Sequence, residues 1–146
     1  MPLNKRTIAP GGAGPSLEGP LLEPYRVLDL ADEKGFFCGK VLGDLGADVI
    51  KIEPPGGDPA REIGPFYQDT PHPERSLGWW ALNTSKRGIT LNLESTPGRD
   101  TFLRLVKTAH FVLESFPPGY LERLGLGYRS LSQVNPGIIL TTITPF

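Results

Sequence analysis

The stretch RVLDLADEKGFFCGKVLGDLGADVIKIE, residues 26–53, decides the fold class. Residues 26–30 predict a short strand, and residues 47–53 predict a second strand because they are rich in β-branched side chains. The segment between them predicts a helix that ends at Gly46 as a C-cap residue. The apolar face of this helix would be formed by Phe37, Val41, Leu42 and Leu45. Strand, helix and strand in this order predict a βαβ unit with parallel strands and a right-handed crossover.

The rest of the chain continues the alternation of strands and helices. Residues 53–83 predict a long loop that packs through Trp79 and Trp80. A helix would begin after Thr96 as N-cap, with Pro97 at its first position. Further strands are predicted at 88–93, 110–115 and 137–144, and short helices at 118–124 and 130–135. We therefore expect an α/β fold, a Rossmann-like open parallel sheet with helices on both faces.

Composition limits the possible functions and divides the chain in two. Residues 1–24 mix Gly, Pro and polar residues without a period and predict a flexible N-terminal arm, so the domain would span residues 25–146. The net charge is -1, which gives no reason to expect nucleic acid or an anionic membrane as a partner. No apolar stretch reaches the ~18 residues of a transmembrane helix. Cys38 is the single cysteine, so we expect no intrachain disulfide and a cytoplasmic protein.

The glycines near the start of the first helix suggest a phosphate-binding loop, but their spacing does not fit one. A Walker loop has four residues between its glycines and a Ser or Thr after the lysine. Here Gly35 and Gly39 have three residues between them, and Val41 follows Lys40. The dinucleotide fingerprint is also absent after the first strand. We interpret these glycines as a helix start that allows close packing, and Lys40 as a solvated helix residue.

A second cluster, NTSKR at residues 83–87, places two cations and an amide in a turn before a strand. Lys86 and Arg87 would suit a phosphate, one as a point charge and the other as a bidentate fork. From their charge alone, a solvated turn is the favoured interpretation. His72 and His110 have no second histidine or cysteine nearby in the sequence, so no metal site is expected.

Three motifs in this order resemble the N-terminal part of a family III CoA-transferase of the CaiB/BaiF type. They are DLGADVIKIEPPGGDPAR, the turn and strand LNTSKRGITLNL, and ESFPPGYLERLGL followed by NPGII. The match runs over residues 26–144 without a large gap. The resemblance implies a large Rossmann-like domain, a smaller domain, and a homodimer of interlocked subunits, unless a complementary chain supplies the missing part.

The same resemblance implies acyl-CoA and a carboxylic acid as substrates, and coenzyme A as the bound group, with no metal. In such enzymes an aspartate forms an acyl anhydride while CoA moves between acids. By position, the implied coenzyme contacts are Glu33, Lys34, Glu53, Pro54, Asn83, Lys86 and Arg87. With a CoA phosphate as ligand, the resemblance favours the phosphate interpretation of the NTSKR turn over the solvated one.

Two departures from the family pattern leave alternatives open. The segment DEKGFFCGK stands where many members have an AGP-like sequence. The resemblance also implies that the catalytic aspartate and the small domain lie beyond residue 146, so no residue here is assigned as catalytic. We therefore expect a truncated product, a split-gene subunit or an excerpt of a CoA-transferase. The alternatives are a non-catalytic CoA-binding or assembly subunit and a fragment of an α-methylacyl-CoA racemase-like member.

Overall fold

The structure, a computed structural model, describes residues 19–144. Its centre is a five-stranded sheet in the order β3-β2-β1-β4-β5, with every neighbouring pair parallel. The strands are β1 Arg26–Leu30, β2 Asp48–Glu53, β3 Lys86–Thr90, β4 Phe111–Glu114 and β5 Ile139–Thr142. This confirms the predicted open parallel sheet. The order is that of a doubly wound fold, in which the chain winds outward from β1 in both directions.

Helices cover both faces of the sheet, as predicted. They are α1 Phe36–Asp44, α2 Leu77–Asn83, α3 Thr96–Val106, α4 Tyr120–Arg123 and α5 Tyr128–Val134. The side chains of successive strand residues point to opposite faces, so alternate residues of β1 belong to different layers. Leu28 packs with Phe102 of α3 and Leu131 of α5, whereas Val27 packs on the α1 face. Asp29 and Lys51 are paired in register and lie on this second face as well.

The predicted apolar face of α1 is wrong at three of its four positions, whereas Leu42 packs on the layer that includes Val27, as predicted. The side chain of Phe37 is 68% exposed, and Val41 and Leu45 are also exposed. Phe36 and Gly39 are buried instead. A Cβ atom on Gly39 would lie 2.3 Å from Asp29 Oδ2, so glycine allows the helix backbone to approach that carboxylate closely. The helix is therefore turned by about one residue, or ~100°, from the orientation that its apolar residues suggested.

The long loop contains more regular structure than the sequence predicted. Residues 53–83 include two 3₁₀ turns, Pro59–Glu62 and Tyr67–Asp69, and end in α2. The hydroxyl of Ser76 caps α2 by accepting a hydrogen bond from Trp79 N. Trp79 is buried, as expected of a packed segment, whereas Trp80 is largely exposed.

Two further boundaries differ from the prediction. β3 begins at Lys86, two residues before the predicted start, so the cations of the NTSKR cluster belong to the strand. The residue that caps α3 is Ser95, whose hydroxyl accepts from Gly98 N at 3.2 Å, and Thr96 is already helical. Both differences involve a polar side chain, Lys86 or Ser95, whose hydrogen-bond partners cannot be read from the sequence pattern.

Part of the predicted N-terminal arm is packed against the domain. Leu22 N donates a hydrogen bond to Leu45 O, and the side chain of Leu22 contacts the apolar layer that includes Val27. Gly46 has a φ of +102° and lies against Pro20. Residues 19–24 are thus joined to the end of α1, while the rest of the predicted arm, residues 1–18, lies outside the described part of the chain.

Candidate functional site

The winding of the chain reverses between β1 and β4. β2 and β3 lie on one side of β1, and β4 and β5 lie on the other. In open parallel sheets, ligands bind outside the carboxyl ends of the strands at such a switch point. Two adjoining cavities open there, and both are lined by Leu30 at the end of β1.

The first cavity has a volume of about 250 Å³. Its apolar lining comes from the ends of four strands and from α4, and consists of Leu30, Ile52, Leu91, Leu93, Phe116 and Tyr120. Glu33, Glu53 and Pro54, three of the positions predicted from the resemblance, line the same cavity. Lys34, a fourth of the predicted positions, lines the second cavity, whose volume is about 440 Å³. The structure therefore brings these four residues together at one edge of the sheet.

Acidic side chains dominate the polar part of the first cavity. They are Asp32, Glu33, Glu53, Asp58 and Glu94, and Lys51 is the one basic residue among the lining residues described. The ammonium of Lys51 is already paired with Asp58, 3.2 Å from its carboxylate. Asp32 and Glu53 are also paired with cations, whereas Glu33 and Glu94 have no ion pair among the described residues, and such unpaired carboxylates repel phosphate. This lining thus suits the uncharged parts of a nucleotide or thioester better than its phosphates.

A hydrogen-bonded pair joins the two strands that flank the switch point. Ser115 Oγ donates to Asp32 Oδ1 at 2.7 Å and accepts from Asp32 N at 2.8 Å. Lys34 also pairs with the Asp32 carboxylate. Partial burial would raise the pKa of Asp32, but the hydrogen bonds from Lys34 and Ser115 outweigh it and lower the pKa below its usual value. The charge that Lys34 brings to the second cavity is therefore largely neutralised by Asp32.

An aromatic pair, Phe116 and Tyr120, also lines the first cavity, and the candidate residues drawn from the sequence did not include it. The rings of Phe116 and Tyr120 lie 4.5 Å apart with an interplanar angle of 32°. Tyr120 Oη donates to Glu94 Oε1 at 2.6 Å. Burial and this hydrogen bond to a carboxylate raise the pKa of Tyr120 to about 12. The SFPPGY segment belongs to one of the motifs that carry the family resemblance, but the resemblance did not identify these two side chains as ligand contacts.

The structure argues against the predicted phosphate contact of Lys86. Its ammonium donates to Asp29 Oδ2 at 2.8 Å, Asn83 Oδ1 at 2.9 Å and Phe36 O at 3.0 Å. The side chain is 1% exposed, and burial lowers the pKa of Lys86 although Asp29 opposes that effect. Three acceptors use all three protons of an ammonium. The amide of Asn83 is likewise engaged, since its nitrogen donates to Trp79 O.

Arg87 lies at the amino end of β3, away from the cavities. Its guanidinium pairs with Asp48, which also accepts from Arg26. Burial would raise the pKa of Asp48, but the hydrogen bonds from Arg26 and Arg87 lower it below its usual value. Arg87 precedes the last residue of β3 by three positions, which corresponds to about 10 Å along a strand. The predicted contact residues thus form two groups at different ends of the sheet.

Comparison with known proteins identifies the family of this chain. The model of CoA-transferase family III matches residues 22–146. The chain therefore belongs to CoA-transferase family III, as the sequence motifs predicted.

Two relatives illustrate the similarity in sequence. The chain is 42% identical over 122 residues to the BbsE subunit of succinyl-CoA:(R)-benzylsuccinate CoA-transferase from Thauera aromatica. This match covers 84% of this chain and 30% of BbsE. It is 44% identical over 127 residues to succinyl-CoA–D-citramalate CoA-transferase from Chloroflexus aurantiacus, covering 86% of this chain and 31% of the relative. The chain thus spans about a third of the length of these curated relatives.

Solved structures show the same fold. The orthorhombic form of Rv3272 from Mycobacterium tuberculosis has a TM-score of 0.78 at 38% identity, over 88% of this chain and 35% of that one. A CaiB/BaiF family protein from Brucella suis has a TM-score of 0.77 at 40% identity, over 85% of this chain and 33% of that one.

Two further features are absent from residues 19–144. None of the helices described there is long and apolar enough to cross a membrane. Within the same residues, no group of three or more His, Cys, Asp or Glu side chains is placed to hold a metal ion.

Proposed function

We propose that this chain supplies the coenzyme-binding edge of an acyl-CoA:carboxylate CoA-transferase. The observation that supports the proposal most directly is the cavity at the β1–β4 switch point, which lies where a doubly wound sheet binds its ligands. Because the chain belongs to CoA-transferase family III, coenzyme A is the ligand that we propose for this cavity. In this proposal residues 25–146 are the first part of a larger CoA-binding domain.

The lining of the cavities suggests how the coenzyme lies. Phe116 and Tyr120 offer stacked rings to a flat or apolar group, and the carboxylates around them disfavour phosphate. We therefore propose that an uncharged part of CoA occupies the first cavity, between Pro54 and Phe116. The phosphates would lie outside it, nearer the solvent. Lys34 lines the second cavity, which continues toward Thr144.

The proposed reaction is CoA transfer through a covalent acyl-enzyme. A carboxylate of an aspartate attacks the thioester carbonyl, the carbon–sulfur bond breaks, CoA leaves as the thiolate, and an acyl anhydride remains. The CoA thiolate then attacks the aspartyl carbonyl of the anhydride, so the donor leaves as its free carboxylate and an aspartyl-CoA thioester forms. The acceptor carboxylate attacks this thioester and releases the CoA thiolate, which attacks the acceptor carbonyl of the new anhydride; the acceptor leaves as its CoA thioester and the aspartate carboxylate is restored. None of the aspartates described here is assigned to the attacking role. This chain would bind and orient the coenzyme, and the attacking group would come from elsewhere in the enzyme.

In this proposal the enzyme is an assembly of two chains. Two relatives are described as subunits, BbsE and the beta subunit of succinyl-CoA–L-malate CoA-transferase from Chloroflexus aurantiacus. This favours assembly with a complementary subunit as an alternative to a homodimer. A chain that binds CoA without catalysing transfer is the second candidate function, and these subunit names support it.

Calorimetry with two variants tests the proposed coenzyme site. Pro54 is exposed on the cavity wall, so Pro54→Trp fills the cavity without removing a core contact. Pro136 is also exposed and lines none of these cavities, so Pro136→Trp is the matched control. We expect CoA to bind the wild-type chain and Pro136→Trp equally, and Pro54→Trp at least about tenfold more weakly. Equal binding to all three chains, or no binding to the wild type, would contradict the proposal.

The same titrations test the prediction that Arg87 meets a CoA phosphate. If it does, Arg87→Gln weakens the binding of CoA more than that of 3′-dephospho-CoA. If the guanidinium serves only Asp48, the variant binds both compounds as the wild type does.

A further inference from the structure

We propose that Arg61 is a positioning residue for the coenzyme cavity, which it shapes by holding the carboxylate of Glu53. The inference rests on the proposed function, because it concerns the wall against which CoA would lie. That wall is the segment 54–59, which follows β2 and includes Pro54, Pro55, Asp58 and Pro59 among the lining residues.

Arg61 holds Glu53 through a two-pronged contact. Its Nε donates to Glu53 Oε2 at 2.6 Å, and one terminal nitrogen donates to Oε1 at 2.8 Å. Glu53 Oε2 also accepts from Asp58 N at 2.9 Å. A planar guanidinium fits a carboxylate in this way with both position and orientation fixed. The contact closes the segment 53–61 into a loop whose two ends are tied together.

The guanidinium is itself held by the segment that leads into α2. It lies over the ring of Trp79, 4.1 Å from the ring centroid, and its remaining terminal nitrogen donates to Glu74 Oε1 at 3.0 Å. Trp79 is buried and packs edge-on against Phe36, with centroids 5.4 Å apart. Since Phe36 opens α1, Arg61 links the cavity wall to the first helix of the βαβ unit.

A second ion pair fixes the far end of the wall. Lys51 Nζ lies 3.2 Å from Asp58 Oδ2, and both side chains are buried. Asp58 also caps the following 3₁₀ turn by accepting from Ala60 N. Thus two contacts tie the carboxyl-terminal end of the wall back to β2, Arg61 to Glu53 and Asp58 to Lys51.

This arrangement changes the role predicted for Glu53. Both oxygens of its carboxylate already accept hydrogen bonds within the protein, and the residue is 6% exposed. Glu53 therefore acts on the coenzyme through the shape of the wall. Two residues that act through one contact have a measurable signature, since losing either one removes the whole contact.

A double-mutant cycle on CoA affinity tests this signature in the 146-residue chain. The variants are Glu53→Gln, Arg61→Gln and the two together. Arg104→Gln is the control, since Arg104 is exposed on α3 and bonds only a neighbouring helix residue. We expect each single variant to bind CoA about tenfold more weakly than the wild type. The double variant should bind CoA no more weakly than the more affected single variant, and the control should bind it as the wild type does. Losses that multiply to about a hundredfold would contradict a shared role.

Two further measurements separate positioning from general stability. Arg61→Lys retains the charge but not the fork or the ring contact, so it should recover part of the affinity that Arg61→Gln loses. Amide exchange of residues 56–58 should rise in Arg61→Gln, while that of β1 stays as in the wild type. Equal exchange at 56–58 in both chains would contradict the proposal.

The outcomes also distinguish this inference from the proposed function. A wild-type chain that binds no CoA contradicts the proposed function and, with it, a role of Arg61 in coenzyme binding. A wild-type chain that binds CoA while Glu53→Gln and Arg61→Gln bind it equally well contradicts the role of Arg61 alone.

Discussion

Charged side chains cluster both at the start of β3 and at the carboxyl edge of the sheet, but the two clusters have different roles. At the start of β3, Lys86 is enclosed, and its ammonium has three protein acceptors. At the carboxyl edge, charged groups are paired on the rim of an open cavity, as Glu53 is with Arg61. The first cluster stabilises the joint between β1, α1 and β3, and the second shapes a surface that a ligand can reach. A cationic motif in a sequence can therefore belong to the interior as readily as to a ligand site.

The largest expected effect is at the enclosed cluster. Lys86→Met leaves the carboxylate of Asp29 buried without its cation, which typically costs about 3–5 kcal/mol in the free energy of unfolding. Arg87→Met, one residue along the strand, is the control because its side chain is 65% exposed, and it should change stability by less than ~0.5 kcal/mol. Denaturant unfolding measures both.

Removing both charges checks the cause of that loss. Asp29→Asn together with Lys86→Met no longer buries an unpaired charge, so it should recover part of the stability. If Lys86→Met is as stable as Arg87→Met, then Lys86 is not a structural residue and the comparison between the two regions fails.

A smaller effect is expected at the cavity wall under acid conditions. Burial would raise the pKa of Glu53, but the hydrogen bonds from Arg61 and Asp58 N and the charge of Lys51 lower it. The ionised carboxylate therefore stabilises the fold above the unfolded pKa of ~4.3, and this contribution is lost as the pH falls through the lower folded value. In Arg61→Gln the pKa of Glu53 rises, so the melting temperature should begin to fall at a higher pH than in the wild type.

The control for the acid titration is Arg104→Gln, which leaves Glu53 and its neighbours Lys51 and Asp58 untouched. Its melting temperature should follow the wild-type curve throughout. Identical curves for Arg61→Gln and the wild type would show that Arg61 does not govern the ionisation of Glu53.

The smallest effect is expected at Tyr120. The pKa of Tyr120 is raised to about 12 by burial and by its hydrogen bond to Glu94. The neutral phenol thus stabilises the fold below the unfolded pKa of ~10, and this contribution is lost as the pH rises through the folded value. Tyr120→Phe removes one exposed hydrogen bond, which is worth about 0.5–1.5 kcal/mol.

Alkaline absorbance measures this prediction directly. The difference in tyrosinate absorbance between the wild type and Tyr120→Phe should develop with a midpoint at about 12. A difference that develops near the ordinary value would mean that Tyr120 neither is buried nor donates to Glu94.

The fold could be predicted from the sequence because its signals are local. Strand residues such as Val27 and Val49 lie in β-branched or apolar runs, and the turn at Gly46 separates a helix from a strand. The orientation of α1 could not be predicted in this way. It depends on the contact between Gly39 and the Asp29 carboxylate, two residues ten positions apart that meet only in the folded chain.

The site was predictable only in part, for the same reason. Glu33 and Pro54 follow strands β1 and β2, and the rule that ligands bind at carboxyl ends places them at the cavity. Lys86 and Arg87 begin β3, and the family resemblance, rather than their charge, suggested a phosphate ligand for them. What the sequence does not show is that Asp29 and Asp48, each far away along the chain, already pair with these two cations.

The most direct test of the account is a titration of the isotopically labelled chain with CoA, followed by amide NMR shifts. We predict shifts at residues 30–33, 56–58, 91–94, 116 and 119–120, around the first cavity, and no change at Asn83 and Lys86 beyond that of the control residues on α5. Shifts confined to residues 83–87, with none around the cavity, would contradict the central claim that the coenzyme binds at the carboxyl edge of the sheet.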